Sequence, residues 1–322
     1  NLISLKFPST FDRMYKLDLF FPIFDLILKY SMSNSEQIYL CCIYALCLSI
    51  DSELSLIDRF EHPNNSNVNI INDILNKKFF KNEALVHYAN QILGNYLSIK
   101  SGFSDEFYLK CIQYEFDIFF GINLSIAVKE TYWVLSNILS DYNKAGFIIC
   151  LNEPFINQTI AVNETYWVLS NILCDFPKGA NIILANELFI QKAMDSYKNT
   201  IELNVISEIT YFFCTLINKG GIQNFIKLQE KGIIDITMEH AKRTFKKEKS
   251  LVNIFNLIEC ILFLGNSVRD NFEGRNLVKE KCDTYGLKDL LDKYENTKNM
   301  ELSDIIEKIS KNYYDNNDEF IL

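Results

Sequence analysis

Residues 122–141 read INLSIAVKETYWVLSNILSD and residues 156–175 read INQTIAVNETYWVLSNILCD, so one 20-residue segment occurs twice at an offset of 34 residues. The two copies differ at four positions, and weaker similarity continues from 144–156 to 178–190. A helical unit of this size cannot bury its apolar face alone and stacks on its neighbours. The duplication therefore predicts an all-α repeat protein with a duplicated, shortened repeat near residues 122–191.

The composition agrees with a helical fold and restricts the partners. The chain has 322 residues, of which 48% are hydrophobic, with only 11 Gly and 5 Pro. Strand-rich folds need more turn residues than this. A net charge of −9 argues against nucleic acid and favours a basic partner. The longest apolar run, at 254–265, contains Glu259 and is shorter than a membrane span, so we expect no membrane partner.

Nothing in the sequence indicates catalysis. Nine cysteines without a CxxC motif predict free, mostly buried thiols in a reducing compartment. His62, His87 and His240 have no metal-ligand spacing and no evident nucleophile partner. There is no GxGxxG, P-loop or GxSxG motif. We expect a protein that is not an enzyme and binds no cofactor.

The duplicated helix carries a polar stripe that includes an aromatic residue. At about 100° per residue, Val128, Thr131, Leu135, Ile138 and Leu139 share one arc. Glu130, Trp133 and Asn137 lie together on the opposite side. The second copy repeats the stripe, and the chain has no other Trp. An indole attracts Lys or Arg, an Asn amide can bind a peptide N–H and C=O, and Glu adds charge complementarity. The stripe predicts capture of an extended cationic peptide, although ordinary packing of the Trp against neighbouring helices remains an alternative.

These residues carry a family resemblance. KETYWVLSNIL (129–139) resembles the third helix of an armadillo repeat in the importin-α family, which has a KEAxWxxSN-type signature. ANQILGNYLS (89–98) resembles the same helix with Gln91 in the Trp position. SEITYFFCTLINKGG (207–221) also resembles this helix, with Tyr211 in the Trp position and Thr215 in the Asn position. LQEKGIIDI (228–236) resembles the turn between a repeat's first two helices, and 289–318 resembles the family's last repeat.

The resemblance implies a fold and a function. It implies an armadillo-repeat, right-handed superhelical solenoid that forms a single domain over residues 1–316, followed by an acidic, frayed tail at 317–322. It also implies a nuclear-import adaptor, in cytoplasm and nucleus, that holds lysine-rich nuclear localisation signals in the minor of the family's two grooves. The implied peptide-binding residues are Gln91, Asn95, Glu130, Trp133, Ser136, Asn137, Glu164, Trp167, Ser170, Asn171, Glu208 and Tyr211.

Departures from the family pattern keep a second hypothesis open. The offset of 34 residues is shorter than an armadillo period, and the helix at 35–51 offers Tyr44 and Leu48 where the major groove needs Trp and Asn. We expect the early repeats and the basic importin-β-binding segment to be missing, which weakens the implied partnership with importin-β and with an export receptor. The alternative is an armadillo scaffold with altered ligand specificity. Under the first hypothesis, Trp133→Ala or Trp167→Ala should weaken peptide binding at little cost in stability.

Overall fold

A computed structural model of the chain describes residues 70–76, 83–121, 125–158, 164–243, 248–268 and 274–315. Within these ranges all regular secondary structure is α-helical, which confirms the all-α prediction. The predicted helix at 35–51 and the tail at 317–322 lie outside the described residues. Contacts divide the chain between Ala145 and Gly146 into two compact units. The prediction of a single domain over 1–316 concerns both units together and stays a prediction.

Unit 1 contains four described helices. They are α1 (Ile70–Asn76), α2 (Glu83–Ile99), α3 (Asp105–Gly121) and α4 (Ser125–Asp141). Helix α4, the first copy of the duplicated segment, packs on both α2 and α3, and α1 packs on α3. The aliphatic arc predicted for α4 forms its buried face, because Leu135, Ile138 and Leu139 are buried.

Unit 2 begins within α5 and has a repeated three-helix plan. Its helices are α5 (Lys144–Leu151), α6 (Glu153–Gln158), α7 (Glu164–Asp175), α8 (Gly179–Ala185), α9 (Glu187–Asn199), α10 (Leu203–Glu230), α11 (Ile233–Lys242), α12 (Glu248–Ser267), α13 (Leu277–Thr284), α14 (Leu287–Tyr294) and α15 (Met300–Tyr313). The third helices pack in order, α7 on α10, α10 on α12 and α12 on α15. This succession is an all-α repeat fold of the solenoid class, as the duplication predicts.

Glycines divide the repeats into their helices. Gly221 has a φ of +70° and breaks the 28-residue α10 into the third helix of one repeat and the first helix of the next. Gly232, in the predicted turn at 228–236, has a φ of +87° and caps α11. Side chains with a Cβ rarely adopt such a positive φ, so both positions require glycine.

Side-chain hydrogen bonds between successive repeats fix their register. In unit 1, Asn137 donates to the carbonyl of Gly94 across 43 residues. In unit 2, His240 contacts the Tyr197 carbonyl across 43 residues, and Asn253 donates to the Ser207 carbonyl across 46. These separations equal about one armadillo period.

Helix α12 contains a long apolar segment. Its segment Ser250–Ser267 is long and apolar enough to cross a membrane, but 61% of it is buried inside the protein. Helices α10 and α15 cover it, as expected for a central helix of a repeat core. It is therefore weak evidence for a membrane span.

Candidate peptide-binding surface

In unit 1 the indole of Trp133 lies against the backbone of the preceding third helix. A methyl group added at Gly94 of α2 would be 2.3 Å from Cζ3 of Trp133 and 2.7 Å from its Cη2. The six-membered ring therefore covers the Gly94 Cα, and Trp133 is half-buried. The contact agrees with the alternative of ordinary packing for Trp133, which a helical projection of α4 alone cannot distinguish because it does not include α2.

The polar residues beside Trp133 also contact α2. Asn137 uses one N–H of Nδ2 to donate to the Gly94 carbonyl at 2.9 Å, so its other N–H and its Oδ1 remain for a ligand. The Nδ1 atom of His87 lies 3.2 Å from Oε1 of Glu130, and this contact is an ion pair whenever the imidazole is protonated. His87, predicted as an ordinary surface or half-buried residue, is thus the neighbour of a predicted binding residue.

Two further predicted binding residues, Gln91 and Asn95, lie on α2 one and two turns after His87. Gln91 and Asn95 are both half-buried, and each already interacts with other groups of the protein. We define the unit 1 stripe as Gln91, Asn95, Glu130, Trp133 and Asn137. Its half-buried side chains form a polar surface around one indole on two packed helices.

In unit 2 the corresponding aromatic residues are more accessible. Trp167 on α7 is 40% exposed and Tyr211 on the adjacent α10 is 37% exposed. Asn171 is half-buried one turn beyond Trp167, and Glu208 is half-buried one turn before Tyr211. We define the unit 2 stripe as Trp167, Asn171, Glu208 and Tyr211. Two aromatic rings on neighbouring helices, flanked by an amide and a carboxylate, can hold the stem and charge of a basic side chain.

Burial keeps the Tyr211 phenol protonated. Desolvation raises its pKa above the ordinary value, and the neighbouring Cys174 thiol raises it further through charge repulsion and a hydrogen bond. A neutral phenol stacks on a cation without adding charge. Cys174 is exposed beside the stripe, and no pattern in the sequence distinguishes it from the other cysteines.

The two serines of the duplicated helix differ in burial, and only Ser170 departs from the prediction of an accessible surface. Ser170 is fully buried and donates to the Tyr166 carbonyl at 2.7 Å, so it is not part of the accessible surface. Helical serines commonly make this bond to the carbonyl four residues earlier. Ser136 is half-buried. The side chain of Glu164 lies outside the described residues, so its predicted role stays a prediction.

Helix α10, which packs on α7, has Tyr211 and Thr215 in the places of Trp and Asn, as the sequence indicates. Thr215, in the place of Asn, is buried and donates to the Tyr211 carbonyl at 2.9 Å. It therefore offers nothing to a peptide backbone. Within the described ranges, no group of three or more His, Cys, Asp or Glu side chains could hold a metal ion.

The fold defines a class, an all-α repeat protein of the solenoid type. No protein-family model matches the chain, and no curated protein matches it. The importin-α resemblance therefore has no support from sequence comparison.

Among solved structures, the chain is similar to two engineered proteins. The first has a TM-score of 0.54 at 11% identity, covering 89% of this chain and 88% of that one. The second has a TM-score of 0.52 at 10% identity, covering 75% of this chain and 95% of that one. These identities show a shared fold alone. A designed armadillo repeat protein in complex with the peptide (KR)4 has a TM-score of 0.39 at 14% identity, which is too low to support an argument about ligands.

Proposed function

We propose that the protein binds extended lysine- or arginine-rich peptides through the unit 1 and unit 2 stripes, and that it acts as a nuclear-import adaptor of the importin-α type. The accessible pair Trp167 and Tyr211 is the observation that carries the proposal. Large aromatic side chains exposed on adjacent packed helices have no role in the core. In a chain of net charge −9, their best ligand is a cation with an apolar stem.

The polar groups of the stripes support an extended peptide as ligand. Asn137 keeps one N–H and its carbonyl oxygen after bonding to Gly94, which is enough to pair with one peptide unit. Glu130 and Glu208 each precede an aromatic residue by one helical turn, so negative charge lies close to each ring. Such charges accelerate association with a basic peptide.

A second candidate, an interaction scaffold with another ligand, is supported by the state of the same residues. Glu130 is close to His87, Asn137 is partly used by Gly94, and Thr215 is buried. Each of these contacts reduces the number of groups left for a peptide backbone. Under this hypothesis the surface is retained but basic peptides are not preferred.

A fluorescence-anisotropy titration separates the two candidates. A labelled lysine-rich peptide and an alanine-substituted control are titrated with the protein at low and near-physiological salt. We expect the lysine-rich peptide to bind more tightly and to weaken as salt rises, because charge pairs are screened. Equal affinity for both peptides at low salt would reject basic-peptide binding and support the scaffold.

Matched variants place the binding on the stripe. Trp167→Ala should lose about 1–3 kcal/mol of binding free energy, since it removes a cation–π partner and its contact area. Phe263→Ala is the control, because Phe263 is a 60% exposed aromatic residue on α12 and outside both stripes. The same loss in both variants would show that binding does not depend on the stripe. Capture of importin-β by the full chain then tests the adaptor role separately from peptide binding.

A further inference from the structure

Two cysteines from successive repeats lie together between α10 and α12 in unit 2. The thiol of Cys260 donates to Oδ1 of Asn218 at 3.0 Å, and Nδ2 of Asn218 lies 3.5 Å from Sγ of Cys214. One amide group therefore contacts both sulfur atoms.

The surroundings make the pair unequal. Cys260 is buried, with 4% of its surface exposed, whereas Cys214 is half-buried. Interaction with Cys260 lowers the pKa of Cys214, and the same interaction, together with burial, raises the pKa of Cys260. A partly exposed thiol with a lowered pKa, next to a second thiol, is the arrangement found in redox-responsive cysteine pairs.

We propose that Cys214 and Cys260 form an intramolecular disulfide when the folded protein meets a hydroperoxide, and that this bond links α10 to α12. The Cys214 thiolate attacks one peroxide oxygen, the O–O bond breaks, and Cys214 becomes a sulfenic acid while hydroxide leaves and is protonated. The Cys260 sulfur then attacks the Cys214 sulfur, the S–O bond breaks, and the departing hydroxide takes the Cys260 proton. In total, two thiols and one peroxide give one disulfide and two waters.

Packing favours this pair over the other thiols that the structure describes. Helices α10 and α12 pack directly on each other and both sulfurs contact the same Asn218 amide, so the sulfurs have to close only the gap across this amide to reach the bond length of about 2.05 Å. Cys111, Cys150 and Cys282 are buried, and burial raises their pKa values, which suppresses the reactive thiolate. Cys174 is exposed and is not part of the proposed disulfide.

Mass spectrometry of the folded protein tests the proposal. The protein is treated with hydrogen peroxide, its remaining thiols are blocked with a maleimide, and it is digested with trypsin without reductant. Cleavage after Lys and Arg places Cys214 alone in peptide 199–219 and Cys260 alone in peptide 250–269. We expect these two peptides to be joined, with the loss of two hydrogen masses, and to separate on reduction.

Three variants and a denatured control complete the experiment. Cys214→Ser and Cys260→Ser should each abolish the joined peptide, while Cys174→Ser should leave its yield unchanged. The proposal is overturned if folded protein gives no joined peptide at a peroxide dose that fully oxidises Cys174. It is equally overturned if the joined peptide forms only in urea, since the bond would then reflect chance encounter in the unfolded chain. Peptide binding does not enter this test, so its outcome is independent of the proposed function.

Discussion

Substitution of Gly94 by alanine tests the placement of the Trp133 indole. Gly94 lies inside α2, where alanine is normally about 1 kcal/mol more favourable than glycine. Here the added methyl group would lie 2.3, 2.5 and 2.7 Å from three carbon atoms of a rigid ring. The ring would have to move, and overpacking of this kind costs about 1–3 kcal/mol.

These opposing terms set the expected magnitude. Gly94→Ala should destabilise the protein by up to about 2 kcal/mol, because a steric cost of about 1–3 kcal/mol acts against a gain of about 1 kcal/mol in helix propensity. In a Trp133→Ala background the clash is absent, and the same substitution should stabilise by up to about 1 kcal/mol. The coupling energy between the two positions is therefore about 1–3 kcal/mol.

The assay is urea denaturation followed by circular dichroism for the wild type, the two single variants and the double variant. Ser98→Ala is the control for helix propensity on α2, since Ser98 is exposed one turn after Gly94. The argument is refuted if Gly94→Ala stabilises the protein equally in both backgrounds. The indole would then lie away from α2 and would be open to a ligand.

Three further predictions concern buried polar residues. Glu115 is fully buried, accepts a hydrogen bond from Asn90 at 3.1 Å, and has a pKa well above its usual 4.5 because burial disfavours the charged carboxylate. The protonated carboxyl contributes stability below pH 4.5, and this contribution is lost as the pH rises towards the folded-state pKa. The free energy of unfolding of Glu115→Gln relative to wild type should therefore increase above pH 4.5, by up to about 1.4 kcal/mol per pH unit. A difference that stays constant with pH in denaturation experiments would contradict this. Desolvation lowers the pKa of buried His240 from its usual 6.5 while its Nε2 contacts the Tyr197 carbonyl at 2.7 Å. Stability should therefore fall as pH drops below 6.5, and thermal melting of His240→Gln should lack this dependence. Ser170→Ala should cost about 1 kcal/mol of stability, because it removes a buried hydrogen bond, and should leave peptide affinity unchanged in the anisotropy titration.

The sequence predicts the fold well because the decisive information is local. The duplicated segment appears as α4 and α7, and its aliphatic arc is buried as helical periodicity requires. The turn at 228–236 is also where the residues indicate it, because only glycine tolerates the φ of +87° at Gly232. The segment that resembles a third helix ends at Gly221, and the structure breaks α10 there. The sequence does not indicate that a further helical segment follows without an intervening loop, so that α10 continues to Glu230.

The candidate surface is predicted less well because exposure depends on other helices. The two Trp residues occupy equivalent positions in nearly identical helices, yet Trp167 is exposed and Trp133 is half-buried. The difference for Trp133 comes from Gly94, which lies 39 residues earlier and whose missing Cβ makes room for the ring. Ser170 is fully buried, although Trp167 one turn before it and Asn171 directly after it are more accessible. Periodicity within one helix contains none of this information.

The spacing of the hydrogen bonds between repeats has a consequence for folding speed. The bonds that join successive repeats connect residues 42 to 50 positions apart in unit 2, such as Cys260 with Asn218 and Tyr285 with Asp235. Each repeat can therefore dock as soon as its predecessor has formed, without waiting for distant parts of the chain to meet. Low contact order of this kind favours fast folding that spreads along the chain from whichever repeat forms first.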